Sequence, residues 1–243
     1  MLTIINENQI LDYIKCSAFY DMKYNKNIDI SDPNNITRQL HNLSRFFFIQ
    51  IFNNKAPNLK TLKDKFDSLL KTLDDVSSKQ VLESMQMISN LYDWTLKNNI
   101  KVADINSLYS FIINGVDIQG YTGITIDING KYYLLVIDFR KKHINVELAN
   151  LDLKTTLHAY AFYKLYNTPI SGVLIYNAKY NEEALLYKDT DDYKRLQNCL
   201  INITNGIKHN IYIPNSNIYC EKCLTQPLCR YWNSWIFLFS IVQ

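Results

Sequence analysis

The fold is decided by residues 118–140, IQGYTGITIDINGKYYLLVIDFR, in which two β-patterned runs flank a short turn signal. Residues alternate in polarity from Ile118 to Ile128, which is typical of a half-buried strand. Asn129-Gly130 predicts a two-residue hairpin turn, because both residue types readily adopt positive φ. Residues 131–140 predict the returning strand, so the stretch indicates a β-hairpin.

Helical patterns surround this hairpin and place it in an α/β protein. The apolar spacing predicts a buried strand at Ile170–Tyr176 and helices at Asn8–Tyr24, Ile36–Phe52, Leu59–Leu73, Lys79–Asn98, Asp152–Tyr166 and Asp191–Gly206. This order predicts an α/β fold with a mixed central sheet flanked by helices. We expect one domain, with a largely helical portion at 1–114, an α/β core at 115–207, and a cysteine cluster and apolar tail at 208–243.

Turn and composition signals set the remaining limits. The run Asp29–Asn35 predicts a linker, after which Asn35 or Thr37 can cap the next helix. A net charge of +3 and a pI near 8.4 permit a nucleic-acid partner without requiring one. The longest apolar run, Trp235–Val242, is shorter than the roughly 20 residues that span a bilayer, so we expect no membrane contact. Five cysteines without a secretory signal favour the cytoplasm, or the host cytoplasm for a virus-encoded chain.

A cysteine cluster lies near the end of the chain, at Cys220, Cys223 and Cys229. Two cysteines separated by two residues can direct both thiolates to one metal, and Cys16 is the natural fourth ligand. The spacing suits an iron–sulfur cluster at least as well as zinc. The simpler alternative is a set of surface thiols, or one disulfide with a cysteine left over.

Two acidic residues of the hairpin form the candidate catalytic centre. Asp127 lies just before the turn and Asp138 late in the returning strand, and both can project from one face of a twisted sheet. Two such carboxylates can hold Mg²⁺ or Mn²⁺, while the adjacent Arg140 orients water and phosphate. The ordinary alternative is a solvated face, and a lone His41 on a helix flank is usually structural.

Taken together, the order of these motifs resembles the RecB-type branch of the PD-(D/E)XK nucleases, in particular members with an iron–sulfur staple such as the AddB nuclease domain and the CRISPR-associated spacer-processing nucleases. The motifs that carry the resemblance run through nearly the whole chain. They are Tyr13–Tyr20, Gln39–Leu43, Ile126-Asp127, Ile137–Arg140, Thr156–Tyr160, Gly172–Tyr176, Ile213-Pro214 and the closing cysteines.

The resemblance implies a restriction-endonuclease-like fold and a complete set of site residues. It implies a four-iron, four-sulfur cluster on the four cysteines, and a catalytic Mg²⁺ or Mn²⁺ on His41, Asp127, Asp138 and the carbonyl of Phe139. Tyr160 closes the family's Gln-x-x-x-Tyr helix motif and joins the candidate catalytic residues. The implied partner is DNA, single-stranded or at its ends, together with a helicase or recombination protein.

Three departures from the family pattern affect activity. Arg140 replaces the catalytic lysine and cannot share a proton, whereas Lys142, on the same side of the strand, can supply a displaced lysine. Thr156 replaces the family's glutamine. The glycine before the first acidic residue is displaced to Gly123, which bears on the register of Asp127.

Three functions therefore remain open from the sequence. The first is a metal-dependent DNA nuclease, and the second is a catalytically degenerate DNA-binding or scaffolding subunit that keeps the nuclease fold and cluster. The third is a zinc-stapled interaction domain unrelated to nucleases. Side chains expected to contact DNA, unless they are ordinary surface and core residues, are Lys15, Tyr20, Lys23, Tyr24, Lys141 and Lys142.

Overall fold

The computed structural model describes residues 3–28, 30, 35–73, 76–215, 220 and 223–229. The strands of this described part are β1 Thr3–Asn6, β2 Lys101–Ile105, β3 Leu108–Ile113, β4 Val116–Tyr121, β5 Ile124–Ile128, β6 Lys131–Asp138, β7 Gly172–Asn177 and β8 Glu182–Leu186. Its α-helices are α1 Glu7–Lys15, α2 Ser17–Tyr20, α3 Ile36–Phe52, α4 Leu59–Leu70, α5 Ser78–Lys97, α6 Val146–Asn150, α7 Leu153–Tyr166 and α8 Thr190–Lys208. A π-helical turn spans Asp21–Asn25 and a 3₁₀ turn spans Gln226–Leu228. None of the described helices is long and apolar enough to cross a bilayer.

The chain forms two compact units. The larger unit contains residues 33–109 and 121–193, and the smaller one contains residues 1–32, 110–120 and 194–243. The prediction of one domain with three portions stays a prediction.

The larger unit is built on a five-stranded mixed sheet in the order β2-β5-β6-β7-β8. β6 pairs in an antiparallel manner with β5 and in a parallel manner with β7, so the carboxyl ends of β6 and β7 meet at one edge. Helices cover both faces. Side chains of α3, α4 and α5 pack with one face of the sheet, and α7 packs on the other. The predicted α/β fold with a mixed central sheet flanked by helices is confirmed.

The hairpin turn also forms as predicted. Asn129 and Gly130 have φ of 53° and 77°, which is the left-handed region that a tight two-residue turn requires. The Asp127 carboxylate accepts a 2.7 Å hydrogen bond from the backbone N–H of Gly130 and closes the turn.

The smaller unit contains a three-stranded sheet in the order β1-β4-β3, in which β1 runs parallel to β4. Tyr13 of α1 donates a 2.7 Å hydrogen bond to the carbonyl of Ile211, which follows α8. Two residues further along, Ile213 exchanges hydrogen bonds of 2.8 and 2.9 Å with the Ser17 hydroxyl. These contacts hold the segment that leads to the cysteine cluster beside the first helices.

Several predicted elements need correction. The helix predicted at Asn8–Tyr24 breaks at Cys16, whose backbone is extended (φ −168°, ψ 116°). The strand predicted from Ile118 to Ile128 is two strands in different sheets, because the chain leaves the first sheet at Thr122-Gly123. The portion predicted as largely helical also contains strands β1, β2 and β3.

One predicted helix is confirmed, and two predicted segments lie wholly or mostly outside the described residues. The helix predicted at Ile36–Phe52 has those limits, and Asn35 caps it by accepting from the N–H of Arg38 at 3.0 Å. The apolar run 235–242 and most of the 29–35 linker lie outside the described residues.

Candidate functional site

Asp138 ends β6 at the edge where the parallel strands β6 and β7 terminate. Its backbone carbonyl accepts a 2.9 Å hydrogen bond from the N–H of Ala178, and the residue is 7% exposed. Ligands of open α/β sheets commonly bind at the carboxyl ends of the strands, since loops diverge there and leave a crevice. A buried carboxylate at this edge must be neutralised by a cation or by hydrogen bonds.

Arg140 supplies that cation. Its Nε lies 2.9 Å from Oδ1 and 3.1 Å from Oδ2 of Asp138, and its Nη2 lies 2.8 Å from Oδ2. The backbone N–H of Arg140 adds a 2.8 Å bond to Oδ1. Both carboxylate oxygens are therefore engaged by one residue, in the forked geometry that only arginine provides.

Asn177 fixes the backbone around this pair. The side chain is fully buried, and its Nδ2 donates to the carbonyls of Arg140 at 3.2 Å and of Lys142 at 2.8 Å. Its Oδ1 accepts from the N–H groups of Lys179 and Tyr180 at 2.9 and 3.2 Å. One buried amide thus connects the segment after β6 to the segment after β7.

His41 and Phe139 join Asp138 at this edge, as predicted. The His41 ring meets the Phe139 ring edge-to-face, with centroids 5.1 Å apart. Desolvation lowers the pKa of His41 below its ordinary value; the Asp138 carboxylate opposes this shift, and the charges of Lys154 and Arg140 reinforce it. Because the residue remains exposed, this desolvation is partial, but the neutral imidazole is favoured.

Asp127 does not join them. Asp127 pairs with Tyr132 across the hairpin. Tyr132 precedes Asp138 by six residues on β6, so Asp127 and Asp138 are about 20 Å apart along the strand, at roughly 3.4 Å per residue. The two carboxylates therefore occupy opposite ends of the hairpin, and the expected approach of Asp127 to Asp138 is wrong. The register of the two-residue turn is the cause.

Gly123 directly precedes β5, and the register that pairs Ile124 with Leu135 puts it opposite Val136, two residues from Asp138. A Cβ at Gly123 would lie 3.1 Å from Leu134 Cδ1 and 3.2 Å from His158 Nδ1, so this residue faces the same side of the sheet as Leu134 and Asp138. The position has no side chain, and the buried His158 of α7 closes the space above it. No group of three His, Cys, Asp or Glu side chains that could hold a metal ion occurs among the described residues. The predicted divalent-metal ligand set is thus not assembled.

The other predicted catalytic residues have ordinary surroundings. Lys142 is exposed beyond the end of β6. The buried Tyr160 of α7 has its ring 5.5 Å from the ring of Tyr193, with the Lys164 ammonium 5.3 Å from its centroid. The hydroxyl of Thr156 donates to the Asp152 carbonyl of its own helix at 2.9 Å.

The four cysteines predicted as cluster ligands lie in the smaller unit. Cys16 stands between α1 and α2, and the backbone N–H of Cys223 donates to the carbonyl of Cys220 at 3.1 Å, so these two flank one turn. The N–H of Cys229 donates to Gln226 in the following 3₁₀ turn. All four are of intermediate exposure and none is in a disulfide, but no three of them come together in the described structure as a group that could hold a metal ion. Cys199 is also half-buried, and burial raises the pKa of its thiol.

The predicted DNA contacts of the first helices have local partners. Lys23 and Tyr24 both bond the Asp12 carboxylate at 2.8 Å. Tyr20 is buried, which raises its pKa to about 12, and it stacks on Tyr212 with centroids 5.9 Å apart. The polar ends of Lys23 and Tyr24 are engaged and the Tyr20 ring is buried, so the structural role weighed for these three residues is the better description.

Comparisons with known proteins identify the fold. No protein-family model and no curated protein matches the chain. A crystal structure from Eubacterium rectale, described as a "Putative exonuclease", is similar with a TM-score of 0.60 at 9% identity, over 93% of this chain and 88% of that one. A structure of SSO0001 covers 93% of both chains at 10% identity, and its TM-score of 0.42 is too low to carry an argument. The chain therefore shares its α/β fold with the Eubacterium rectale protein.

Sequence reasoning missed Gly123, His158 and Asn177 as parts of the site. The sequence marks Gly123 only as a displaced glycine. His158 lies within the Thr156–Tyr160 motif, which gives it no role. The signal for the register was available, since a turn at Asn129-Gly130 pairs residue 128 with 131 and Asp127 with Tyr132. Nothing in the sequence pattern marks Asn177, which acts through backbone groups on two loops.

Proposed function

We propose that this chain is a DNA-binding protein that keeps a nuclease fold without cleaving DNA. The observation that carries the proposal is the forked contact of Arg140 with both oxygens of Asp138. Three N–H groups of one residue occupy most of the roughly four acceptor sites of this carboxylate, and the guanidinium places a permanent positive charge against it, which disfavours a divalent cation there.

The residues around Asp138 do not fit a catalytic divalent metal. Mg²⁺ and Mn²⁺ in phosphodiesterases are held by oxygen ligands, often one or two carboxylates, and the metal lowers the pKa of its bound water. Here Gly123, which directly precedes β5, offers no side chain, and Asp127 is engaged in the hairpin turn. His41 and the Phe139 carbonyl remain beside a single carboxylate, so we derive no hydrolytic step.

DNA is the proposed partner for two reasons. The fold resembles that of a protein provisionally named an exonuclease. In addition, three consecutive cations, Arg140 to Lys142, follow β6 at the edge where its partner strand also ends, and their side chains face solvent. Phosphate contacts of this kind give sequence-independent affinity that falls steeply with salt concentration. A recombination or helicase partner would fit a subunit that binds DNA for another enzyme.

We propose further that Cys16, Cys220, Cys223 and Cys229 hold a four-iron, four-sulfur cluster in the smaller unit. Such a cluster would serve as a structural link between the chain ends. The support is the spacing of the four thiols in the sequence and the hydrogen bonds that hold Ile213, seven residues before Cys220, to Ser17 beside Cys16. The described thiols do not themselves converge, so the cluster would have to draw them together. Iron–sulfur thiolates absorb near ~400 nm, whereas zinc alone does not.

The testing experiment uses protein purified without oxygen. End-labelled single- and double-stranded DNA is incubated with Mn²⁺, and binding is followed by fluorescence anisotropy on the same molecules, beside Asp138→Ala. We expect salt-dependent binding and no cleavage by either protein. Cleavage by the parent that disappears in Asp138→Ala would overturn the proposal in favour of a metal-dependent nuclease, the function that His41 beside Asp138 favours. Absence of binding would also refute it.

A further inference from the structure

A cavity of about 410 Å³, lined by both polar and apolar side chains, opens beside the Asp138–Arg140 pair, between α3, α5 and the segment that follows β6. Its lining residues carry three cations, Arg140, Lys141 and Lys142, against one carboxylate, Glu83. Pockets of roughly 300 to 1,000 Å³ are of the size that holds a small ligand. The charge balance favours an anion.

Hydrogen-bond donors that have no partner among the described residues line the same cavity. Ser84 of α5 is 3% exposed, and its hydroxyl makes no hydrogen bond to any described residue. The Thr37 hydroxyl of α3 and the Lys142 ammonium also have no partner within the described part of the chain. The Ser84 hydroxyl is not fully shut off from solvent, so it can donate to an oxygen bound in the cavity. Three donors and a net positive charge around one space match the oxygens of a phosphate group.

Glu83 holds the cations of this cavity in place. Its carboxylate pairs with the Lys141 ammonium and lies 3.6 Å from that of Lys179. The hydrogen bond from Lys141 is the main reason that the pKa of Glu83 lies below its ordinary value. Glu83 therefore stays ionised at neutral pH and competes with any second anion for Lys141.

We propose that this cavity binds a phosphate group of a nucleotide, with Lys142, Lys141, Ser84 and Thr37 as donors and Glu83 as a competing counter-ion. The site is separate from Asp138, whose carboxylate stays paired with Arg140. In assigning the phosphate to nucleic acid, the inference rests on the proposed DNA-binding function. The phosphate itself can also come from a free nucleotide or from inorganic phosphate.

The test titrates the full chain with inorganic phosphate, then with a nucleoside monophosphate, by isothermal calorimetry, and measures DNA binding separately by anisotropy. We expect saturable phosphate binding that weakens roughly tenfold in Lys142→Ala and about threefold in Ser84→Ala. Glu83→Gln should tighten it roughly fivefold, because the competing charge is removed. Lys131→Ala, an exposed lysine at the far end of β6, is the matched control and should leave binding unchanged.

The outcomes separate the two proposals. Ser84→Ala loses no hydrogen bond of the described structure, so its melting temperature should stay at the parent value and weaker binding cannot be ascribed to misfolding. DNA binding without saturable phosphate binding, or phosphate binding that ignores all three cavity variants, overturns the phosphate site alone. Phosphate binding without DNA binding supports the cavity, assigns it to free phosphate or nucleotide, and refutes the proposed function.

Discussion

Replacing Arg140 with alanine should destabilise the protein by about 2 kcal/mol, because it leaves a buried carboxylate without its cation. Asp138 would lose three contacts of 2.8 to 3.1 Å from the guanidinium and keep only the 2.8 Å bond from the backbone N–H of residue 140. Breaking a fully buried ion pair costs roughly 3–5 kcal/mol. The Arg140 side chain is 75% exposed, so water can replace part of what is lost and the lower figure applies.

Urea unfolding and thermal melting measure this loss. At about 2–4 °C per kcal/mol for a chain of this size, a loss of 2 kcal/mol lowers the melting temperature by roughly 4–8 °C. Arg140→Lys should fall between the parent and the alanine variant, since an ammonium cannot make the fork. Lys142→Ala is the control, and it should change stability by less than about 0.5 kcal/mol because its ammonium has no described partner.

A double-mutant cycle with Asp138→Asn isolates the pair. The double variant should lose less stability than the sum of the two single losses. The difference, which is the coupling energy, should be about 1–2 kcal/mol. Freeing Asp138 should also let Mn²⁺ bind more tightly to Arg140→Ala than to the parent. Stability within about 0.5 kcal/mol of the parent, or a cycle that sums to zero, would contradict the guanidinium as the partner that neutralises Asp138.

Four further outcomes are expected. Asn177→Ala should cost about 3 kcal/mol in urea unfolding, since four backbone groups lose their buried partner; a loss below about 1 kcal/mol would show that water replaces it. Gly206→Ala should lower the melting temperature although alanine favours helices, because its Cβ would lie 2.0 Å from the Tyr13 hydroxyl; an unchanged value would mean that the ring moves freely. The lowered pKa of His41 means that the unfolded chain takes up its proton first as pH falls below about 6.5, so stability drops there; His41→Gln should flatten the drop in unfolding measured from pH 7.5 to 5.5. Anaerobically purified protein should contain about four irons per chain, and Cys220→Ser should lose them together with the absorbance near ~400 nm; one zinc per chain instead would exclude the cluster.

The elements that the sequence predicts well are those decided by local chemistry. The helix Ile36–Phe52 has the predicted limits because Asn35 caps its first turn and its apolar face is continuous. The Asn129-Gly130 turn depends on two residues that tolerate positive φ. Both signals lie within a few residues of the structure that they specify, so tertiary contacts do not have to be known.

Strand partners could not be predicted in this way. Alternation from Ile118 to Ile128 is continuous, yet β4 pairs with β1, more than a hundred residues earlier, while β5 pairs with β2 and β6. The alternation reports which side chains are buried and contains no information on which strand lies alongside. The short strands β1, β2, β3 and β8 were not predicted. β3 was missed although Asn114-Gly115, with φ of 52° and 68°, gives after it the same turn signal as Asn129-Gly130.

In the candidate site, some residues could be predicted from the sequence and others depend on tertiary contacts that it does not reveal. His41, Asp138 and Phe139 meet as the family resemblance implied, whereas the turn register removes Asp127 from them. The cavity was beyond sequence reasoning, because Thr37 and Ser84 are on separate helices and are joined only by the packing of α3 with α5 around the end of β6.

Two departures from the family pattern have one electrostatic explanation. A buried carboxylate such as Asp138 requires compensation, and a divalent metal is usually held by one or two carboxylates together with water or phosphate oxygens. Gly123, opposite Val136 and two residues from Asp138 in the strand register, adds no second carboxylate. Arg140 meets the requirement of Asp138, since its charge is permanent at any working pH and its fork meets both oxygens. Under the proposed function, Arg140 therefore gives Asp138 the compensation that a metal would otherwise supply. A lysine at position 140 would provide a weaker, single contact, and Gly123→Asp alone would place a second negative charge against the buried His158.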